Sequence, residues 1–265
     1  MYRGTVANIY LDNIKYNVEN IIKKYNNYKY YIGVVKADCY GHNSNEVISS
    51  IIDGGCNYLA VSLLEEALII RKEYDIPILC LGIINSKYIE ICEENNIDIT
   101  VTSLEYLKQI KDYNINIHIK IDTGMNRLGI KEKEEFNSMI KLIKESNLNL
   151  KGIYTHIYEA NNKEKIDKQI EIFKDITSDI DLSKIDIVHI SQSDTLVNYP
   201  KIDFCNGTRL GIAMYGLNDN DLNLKSTFSL VSEIVEIKKL SNYLNTIPYE
   251  LICNISKRVE RKYIK

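Results

Sequence analysis

None of the six cysteines, Cys39, Cys56, Cys80, Cys92, Cys205 and Cys253, stands in a C-x-x-C pair. A zinc cage or a disulfide framework is therefore not expected, and the cysteines read mostly as small buried hydrophobes. No apolar run approaches the roughly 20 residues of a membrane-spanning helix. The opening residues, MYRGTVANIY, lack the apolar centre of a secretion signal. These absences predict a cytoplasmic location and no membrane partner. An excess of basic charge is missing too. The formal net charge is −3, which argues against a general attraction to nucleic acid. Tryptophan is absent while asparagine, isoleucine, lysine and tyrosine are heavily used, a bias that an AT-rich genome suffices to produce.

What is present is a core-forming alternation. With 265 residues, 45% of them hydrophobic, the chain has the size of one large α/β barrel or two modest domains. Short β-rich runs alternate with longer segments of helical period. The strands are YYIGVVKA, NYLAVS, IPILCLG, IDITVTS, IHIKID, KGIYTHI, IDIVHIS and TRLGIAMYG. Helical spacing marks 11–25, 43–52, 63–74, 86–94, 104–113, 131–146 and 163–180, with a short turn at 195–199. Strands separated by helices imply parallel pairing, and eight such units predict a closed (β/α)8 TIM barrel over roughly 10–220. Residues 221–265 follow as a short β-rich segment, with strands expected in 226–239 and 249–255. That segment is too short for a core of its own.

In such a barrel, functional groups gather at the C-terminal ends of the strands. Lys36 ends the first of these strands. Lys120 and Asp122 end the fifth, with Arg127 just beyond. His156 ends the sixth and Ser193 follows the seventh. Arg209 opens the eighth, with Gly211 and Ile212 behind it. Together they predict a cationic cup with small-residue and hydroxyl donors on one side. A lysine there can form a Schiff base with an aldehyde cofactor. Pyridoxal 5'-phosphate is such an aldehyde, and its phosphate suits hydroxyls and backbone N–H groups. Taken singly, each residue has a plainer reading. Lys36 can be a snorkelling surface lysine, Arg127 a solvated loop charge, and His156 and His189 hydrogen-bonded core histidines. Asp122 suits a loop-orienting role better than that of a base, and Cys39 suits packing.

Six motifs in order change that balance. VVKADCYGH, KIDTGMNRLGI, GIYTHI, HISQSDTL, TRLGIAMYGL and TIPYELICNISKRVERKY resemble those of the alanine racemase family, the fold-type III pyridoxal-phosphate enzymes, over nearly the whole length. The resemblance implies an isomerase that interconverts L- and D-alanine for cell-wall peptidoglycan. It implies that Lys36 carries the Schiff base and acts as base on one face of the substrate. Tyr40, Ser193, the backbone of Gly211 and Ile212, and Tyr249 would hold the phosphate. Arg209 would face the pyridine nitrogen, with His156 near the ring and supporting Arg209. Arg127 would reach the ring hydroxyl and the substrate carboxylate, and Lys120 matches a position that is often carbamylated.

The resemblance also implies a gap. Racemisation needs an acid/base on each face of the α-carbon. The family's second base is a tyrosine of a β-rich second domain, contributed by the partner subunit in a homodimer. No matching segment is found here. STFSLVSEIVEIKKL resembles the start of that domain and SNYLNTIPYELICNISKRVERKY its end, with a join near 240–241. Tyr243, the tyrosine nearest the join, matches a helix rather than the missing base, and Gln192 stands where asparagine is usual. Two expectations follow: a racemase impaired by loss of its second base, or a non-catalytic or partner-dependent cofactor-binding remnant, such as one in a mixed dimer with a full-length homologue.

Overall fold

The computed structural model describes residues 4–217, 222–234 and 260–264. Eight strands close into a parallel barrel in sequence order: β2 (Tyr30–Val34), β3 (Tyr58–Val61), β4 (Ile78–Cys80), β5 (Ile97–Val101), β6 (Asn116–Lys120), β7 (Asn149–Tyr154), β8 (Ile187–Gln192) and β9 (Gly207–Leu210). β9 pairs with β2 and completes the ring. Each of the eight barrel strands overlaps one of the eight β-rich runs of the sequence; β6, β8 and β9 reach one residue beyond their runs and β7 two.

The strands form because their residues alternate in character at period two. One set, including Ile97, Ile99, Val101, Ile117, Ile119, Val188, Ile190 and Leu210, belongs to the large core between barrel and helices. Each fully buried aliphatic side chain there contributes about 1.5–3 kcal/mol. The helices supply the matching faces: Leu11–Lys24 buries Ile14, Val18 and Ile21, Lys133–Lys144 buries Phe136 and Met139, and Lys163–Ile176 buries Ile166, Ile170 and Phe173. The other set of strand residues points into the barrel. A smaller apolar cluster of Ile32, Val34, Tyr58, Ala60, Leu79 and Ile187 fills part of that interior.

Three features depart from the sequence reading. A strand at the N-terminal end, β1 (Val6–Tyr10), precedes the barrel, and the sequence reading missed it. It pairs antiparallel with β10 (Phe228–Val231) and parallel with β11 (Glu260–Ile264). The early residues and the segment after 221 thus share one three-stranded sheet. Of the strand expected over 226–239, Phe228–Val231 is strand among the described residues, and 235–239 lie outside them; the one expected over 249–255 also lies outside the described residues. Finally, 86–94 is a 3₁₀ turn (Ser86–Tyr88) running into a short helix (Ile89–Glu94). Among the described residues no helix is long and apolar enough to cross a membrane, and no group of three or more His, Cys, Asp or Glu side chains could hold a metal ion.

Candidate active site

The chain leaves β2 through an unusual bend. Ala37, Asp38, Cys39 and Tyr40 all have φ between 52 and 56°, so Lys36–Gly41 contains a left-handed turn built from four non-glycine residues. Each such residue costs about 1–2 kcal/mol, and strain of this kind persists only where its surroundings hold it. Here the Cys39 N–H donates to the Val35 carbonyl (3.1 Å) and the Asn43 N–H to the Asp38 carbonyl (3.0 Å). The Ala37 N–H donates to Glu66 Oε1 (2.6 Å), while Glu66 Oε2 accepts from the Ser62 and Leu63 N–H groups. Cys39 is fully buried, with its thiol pushed up to about 12 by burial, which fits packing rather than nucleophilic chemistry. The result is that Lys36 and Tyr40 face the same space.

That space is a cavity of about 270 Å³ lined in part by Lys36, Tyr40, Arg127, His156, Ser193 and Arg209. Gly211 and Ile212 line it as well. Eight of the ten residues predicted from the sequence therefore meet at one mouth. Lys120 lies close by but is buried rather than lining the cavity, and Tyr249 is outside the described residues. Gln192, where the family usually has asparagine, is also on the wall; its side-chain oxygen caps Ser193–Asn198 by accepting from the Asp194 N–H (2.9 Å).

One wall is a cradle of neutral donors. The Gly211 N–H donates to Ser193 Oγ (3.0 Å). A Cβ at Gly211 would project to 3.6 Å from the Tyr40 hydroxyl and 3.7 Å from Ser193 Oγ, so the absent side chain is what leaves the space between these two hydroxyls open. Burial raises the Tyr40 pKa, keeping the phenol protonated and able to donate. A 3₁₀ turn, Ile212–Tyr215, begins directly behind.

The other wall is cationic. Arg209 is only 3% exposed and is third in β9, so it is sunk into the barrel rather than standing at a strand end. Its Nη1 donates to His189 Nδ1 (2.6 Å) and the His189 carbonyl (2.8 Å), and its Nη2 to the carbonyls of Thr155 (2.7 Å) and Ile190 (3.1 Å). The imidazole bonded to Arg209 is thus that of His189 rather than that of His156. The guanidinium also lies over the Tyr154 ring, at 5.3 Å. Burial lowers its pKa to about 10, which leaves it charged at neutral pH.

Lys120 Nζ donates to the Ile121 carbonyl (3.1 Å) and sits 5.1 Å from the centre of the same Tyr154 ring. Burial, with Arg209 close by, brings its pKa down to about 7. His156 is pushed down to about 3 by burial and by the surrounding cations Arg209, Lys120, Arg127 and Lys36, so its imidazole is neutral. Asp122 has the loop role anticipated for it: its Oδ1 accepts from the Gly124 (2.9 Å) and Asn126 (3.0 Å) N–H groups, shaping the segment that carries Arg127. Positive charge held together at this cost in desolvation favours an anionic ligand. Glu66, Tyr154 and Thr155 were not singled out from sequence, because their roles are to bond the turn and the guanidinium rather than to line the cavity.

Fold and site together define a (β/α)8 barrel with a lysine-bearing, anion-attracting mouth. The model of the family "Alanine racemase, N-terminal domain" matches residues 9–219. Alanine racemase 1 of Bacillus subtilis is 34% identical over 252 residues, covering 89% of this chain and 64% of the relative. An alanine racemase of Streptococcus agalactiae serotype Ia is 37% identical over 256 residues, covering 90% and 68%. Among solved structures, alanine racemase of Clostridium difficile 630 superimposes with a TM-score of 0.84 at 32% identity, covering 95% of this chain and 70% of that one. A histidine racemase from Leuconostoc mesenteroides does so with 0.82 at 25% identity, covering 89% and 67%. The chain belongs to the alanine racemase family, and it spans about two thirds of the length of these relatives.

Proposed function

We propose that the cavity binds pyridoxal 5'-phosphate and that the chain carries the lysine side of an amino-acid racemase site. The observation that carries this reading is the meeting of Lys36, the Tyr40–Ser193–Gly211 cradle and the buried Arg209 in one cavity. The donor set fits the cofactor: an amine for the aldehyde, hydroxyls and N–H groups for the phosphate, and a guanidinium for the ring. In this reading Lys36 holds the cofactor covalently. Tyr40, Ser193 and the backbone of Gly211 and Ile212 bind the phosphate, with Tyr249 as the further expected contact. Arg209 faces the pyridine nitrogen. Because a guanidinium only donates, it keeps that nitrogen unprotonated. Arg127 meets the ring hydroxyl and the substrate carboxylate, and His156, neutral, lies beside the ring. When bound, the cofactor supplies a sink for the electron pair left as the substrate α-proton departs. Lys36 moves that proton on one face.

Lys120 has a matching role. An amine must be neutral to add carbon dioxide, and a pKa near 7 makes a large fraction neutral at physiological pH. Addition forms an N–C bond and releases one proton. In this reading the resulting carbamate is an anion that orients Arg127.

The substrate in this reading is alanine or another small amino acid. The sequence relatives are alanine racemases, while the solved neighbours include a histidine racemase. Residues 1–220 form the cofactor-binding part, and 221–265 retain a remnant of the β-rich domain, joined near 240–241.

A partner-dependent or non-catalytic variant of this reading is favoured by one observation. Of the groups lining the cavity among the described residues, His156 is too weak a base at about 3, and Tyr40 is held protonated in the phosphate cradle. Neither is suited to the face opposite Lys36. A full-length homologue in a mixed dimer would supply the missing group.

Reconstitution with pyridoxal phosphate followed by borohydride reduction and peptide mass analysis tests the cofactor reading. The expected result is an adduct on Lys36 that Lys36→Ala abolishes; no adduct overturns it. Solvent deuterium exchange into L- and D-alanine tests the one-base reading. Exchange into one isomer alone is expected, and fast racemisation by the purified chain refutes the impaired and remnant readings.

A further inference from the structure

Below the cavity, a run of buried polar side chains continues from Arg209 toward the opposite end of the barrel. Arg209 Nη1 lies 2.6 Å from His189 Nδ1. His189 Nε2 lies 3.1 Å from His118 Nδ1. His118 Nε2 lies 3.4 Å from the Tyr58 hydroxyl and 3.7 Å from Asp98 Oδ2. Tyr58 donates to the same carboxylate oxygen, and Asn116 Nδ2 donates to the other (2.9 Å). All of the residues in line are buried: Arg209 and Asp98 at 3% exposure, His118 and His189 at 0%.

The two ends fix the direction of the hydrogen bonds. A guanidinium can only donate and an ionised carboxylate can only accept. His189 Nδ1 must therefore be bare, so its proton is on Nε2 and is given to His118 Nδ1. His118 Nδ1 must in turn be bare, and its Nε2–H points at Tyr58 and Asp98. Tyr58 donates to one oxygen of Asp98 and Asn116 Nδ2 to the other, so both oxygens accept, as those of an ionised carboxylate do. Burial, with Arg209 next to it, drives the His189 pKa well below its usual value, so that ring is neutral.

We propose that Asp98 is a positioning residue for the cofactor-binding guanidinium: acting through His118 and His189, it fixes both imidazoles as neutral Nε2–H tautomers and thereby sets the orientation of Arg209. All four Nη hydrogens of Arg209 are then committed to His189, Thr155 and Ile190. The Nε–H makes no hydrogen bond among the described residues and is the donor left for a ligand in the cavity that Arg209 lines. If His189 took the other tautomer, its Nδ1–H would oppose the guanidinium donor at 2.6 Å and the side chain would have to turn. The barrel makes room for this line of contacts at Gly152, where a Cβ would come within 2.2 Å of His118 Nδ1. The link to the cofactor rests on the proposed function; the tautomers do not.

Nitrogen-15 NMR of imidazole-labelled chain without cofactor gives the first test. His118 and His189 are both expected as Nε2–H tautomers near neutral pH, and an Nδ1–H tautomer or a protonated ring at either overturns the proposal. Asp98→Asn, whose amide can donate or accept, is expected to give mixed tautomers at His118. Pyridoxal phosphate affinity is expected to fall about tenfold or more, with a shifted absorbance band. Unchanged tautomers, or unchanged affinity and band, overturn the positioning role. If Asp98→Asn does not fold, Gly152→Ala, which displaces the His118 ring, carries the same expectations. Failure of the wild-type chain to bind pyridoxal phosphate, with the Nε2–H tautomers observed, overturns the cofactor reading and leaves the tautomer assignment standing.

Discussion

The barrel strands carry two different chemistries on their two faces. On β6 the residues turned toward the helices are Ile117 and Ile119, while those turned inward are Asn116, His118 and Lys120; β5 sets Ile97, Ile99 and Val101 against Asp98 and Thr100. The outer layer gains stability from every side chain it buries. The inner layer on β5–β9 gathers charge and imidazole where water is excluded, a placement that costs stability. The comparison shows the helix-facing half of the fold carrying the folding energy and the inner half holding groups that a ligand would need.

Substitutions in the two layers are therefore expected to differ in sign as well as in size. The largest loss is expected from Phe136→Ala, which empties a fully buried site in the outer layer. It should cost about 3–5 kcal/mol, read as a lowered urea midpoint by circular dichroism. A loss below 1 kcal/mol would mean that the outer layer is not packed as described.

The inner layer should respond in the opposite direction. Lys120 has a pKa of about 7 when folded and about 10.4 when unfolded. The unfolded chain binds the proton more tightly, so the penalty is full below pH 7 and fades as pH rises toward 10. Lys120→Met should then stabilise the chain by a few kcal/mol at pH 6 and by little at pH 10, in urea titrations run free of carbon dioxide. Parallel pH profiles for the two proteins would remove the argument that this amine is held against its desolvation cost.

Tyr40→Phe separates function from folding at a single atom. Losing one hydroxyl from the cradle should weaken pyridoxal phosphate binding about 10–100-fold with the urea midpoint unmoved. Equal affinity would place the phosphate elsewhere. The smallest effect is expected from Thr208→Val. Thr208 Oγ1 is buried without a hydrogen-bond partner among the described residues, and replacing it with a methyl group should stabilise the chain by about 1 kcal/mol. A loss instead would show that the hydroxyl has a partner.

Much of this was legible in the sequence because period-two alternation and helical period are local properties. The eight barrel strands and the residues at the mouth could be read that way, and the motif around Lys36 set it apart from an ordinary surface lysine. β1 escaped notice because VANIY is short and its partners lie more than 200 residues away. His189 was noted as a possible core histidine, but its bond to Arg209 depends on two strands meeting side by side. Asp98 and His118 left a weak local signal, a polar residue at every second place of an isoleucine-rich run, which by itself says only which face is turned inward.

The sequence alone determined that the chain alternates strand and helix, which strand faces are apolar, and that a lysine follows the first barrel strand, because each is set by residues within a few places of one another. Tertiary structure decided the rest. Closure of β9 against β2 brings Arg209 and Ser193 to the side of the barrel that holds Lys36. The surrounding packing and the Glu66 carboxylate hold four residues in a left-handed turn that their own backbone preferences oppose. The pKa values of Lys120 and His156 were likewise decided there, because they arise from exclusion of water and from cations contributed by distant strands.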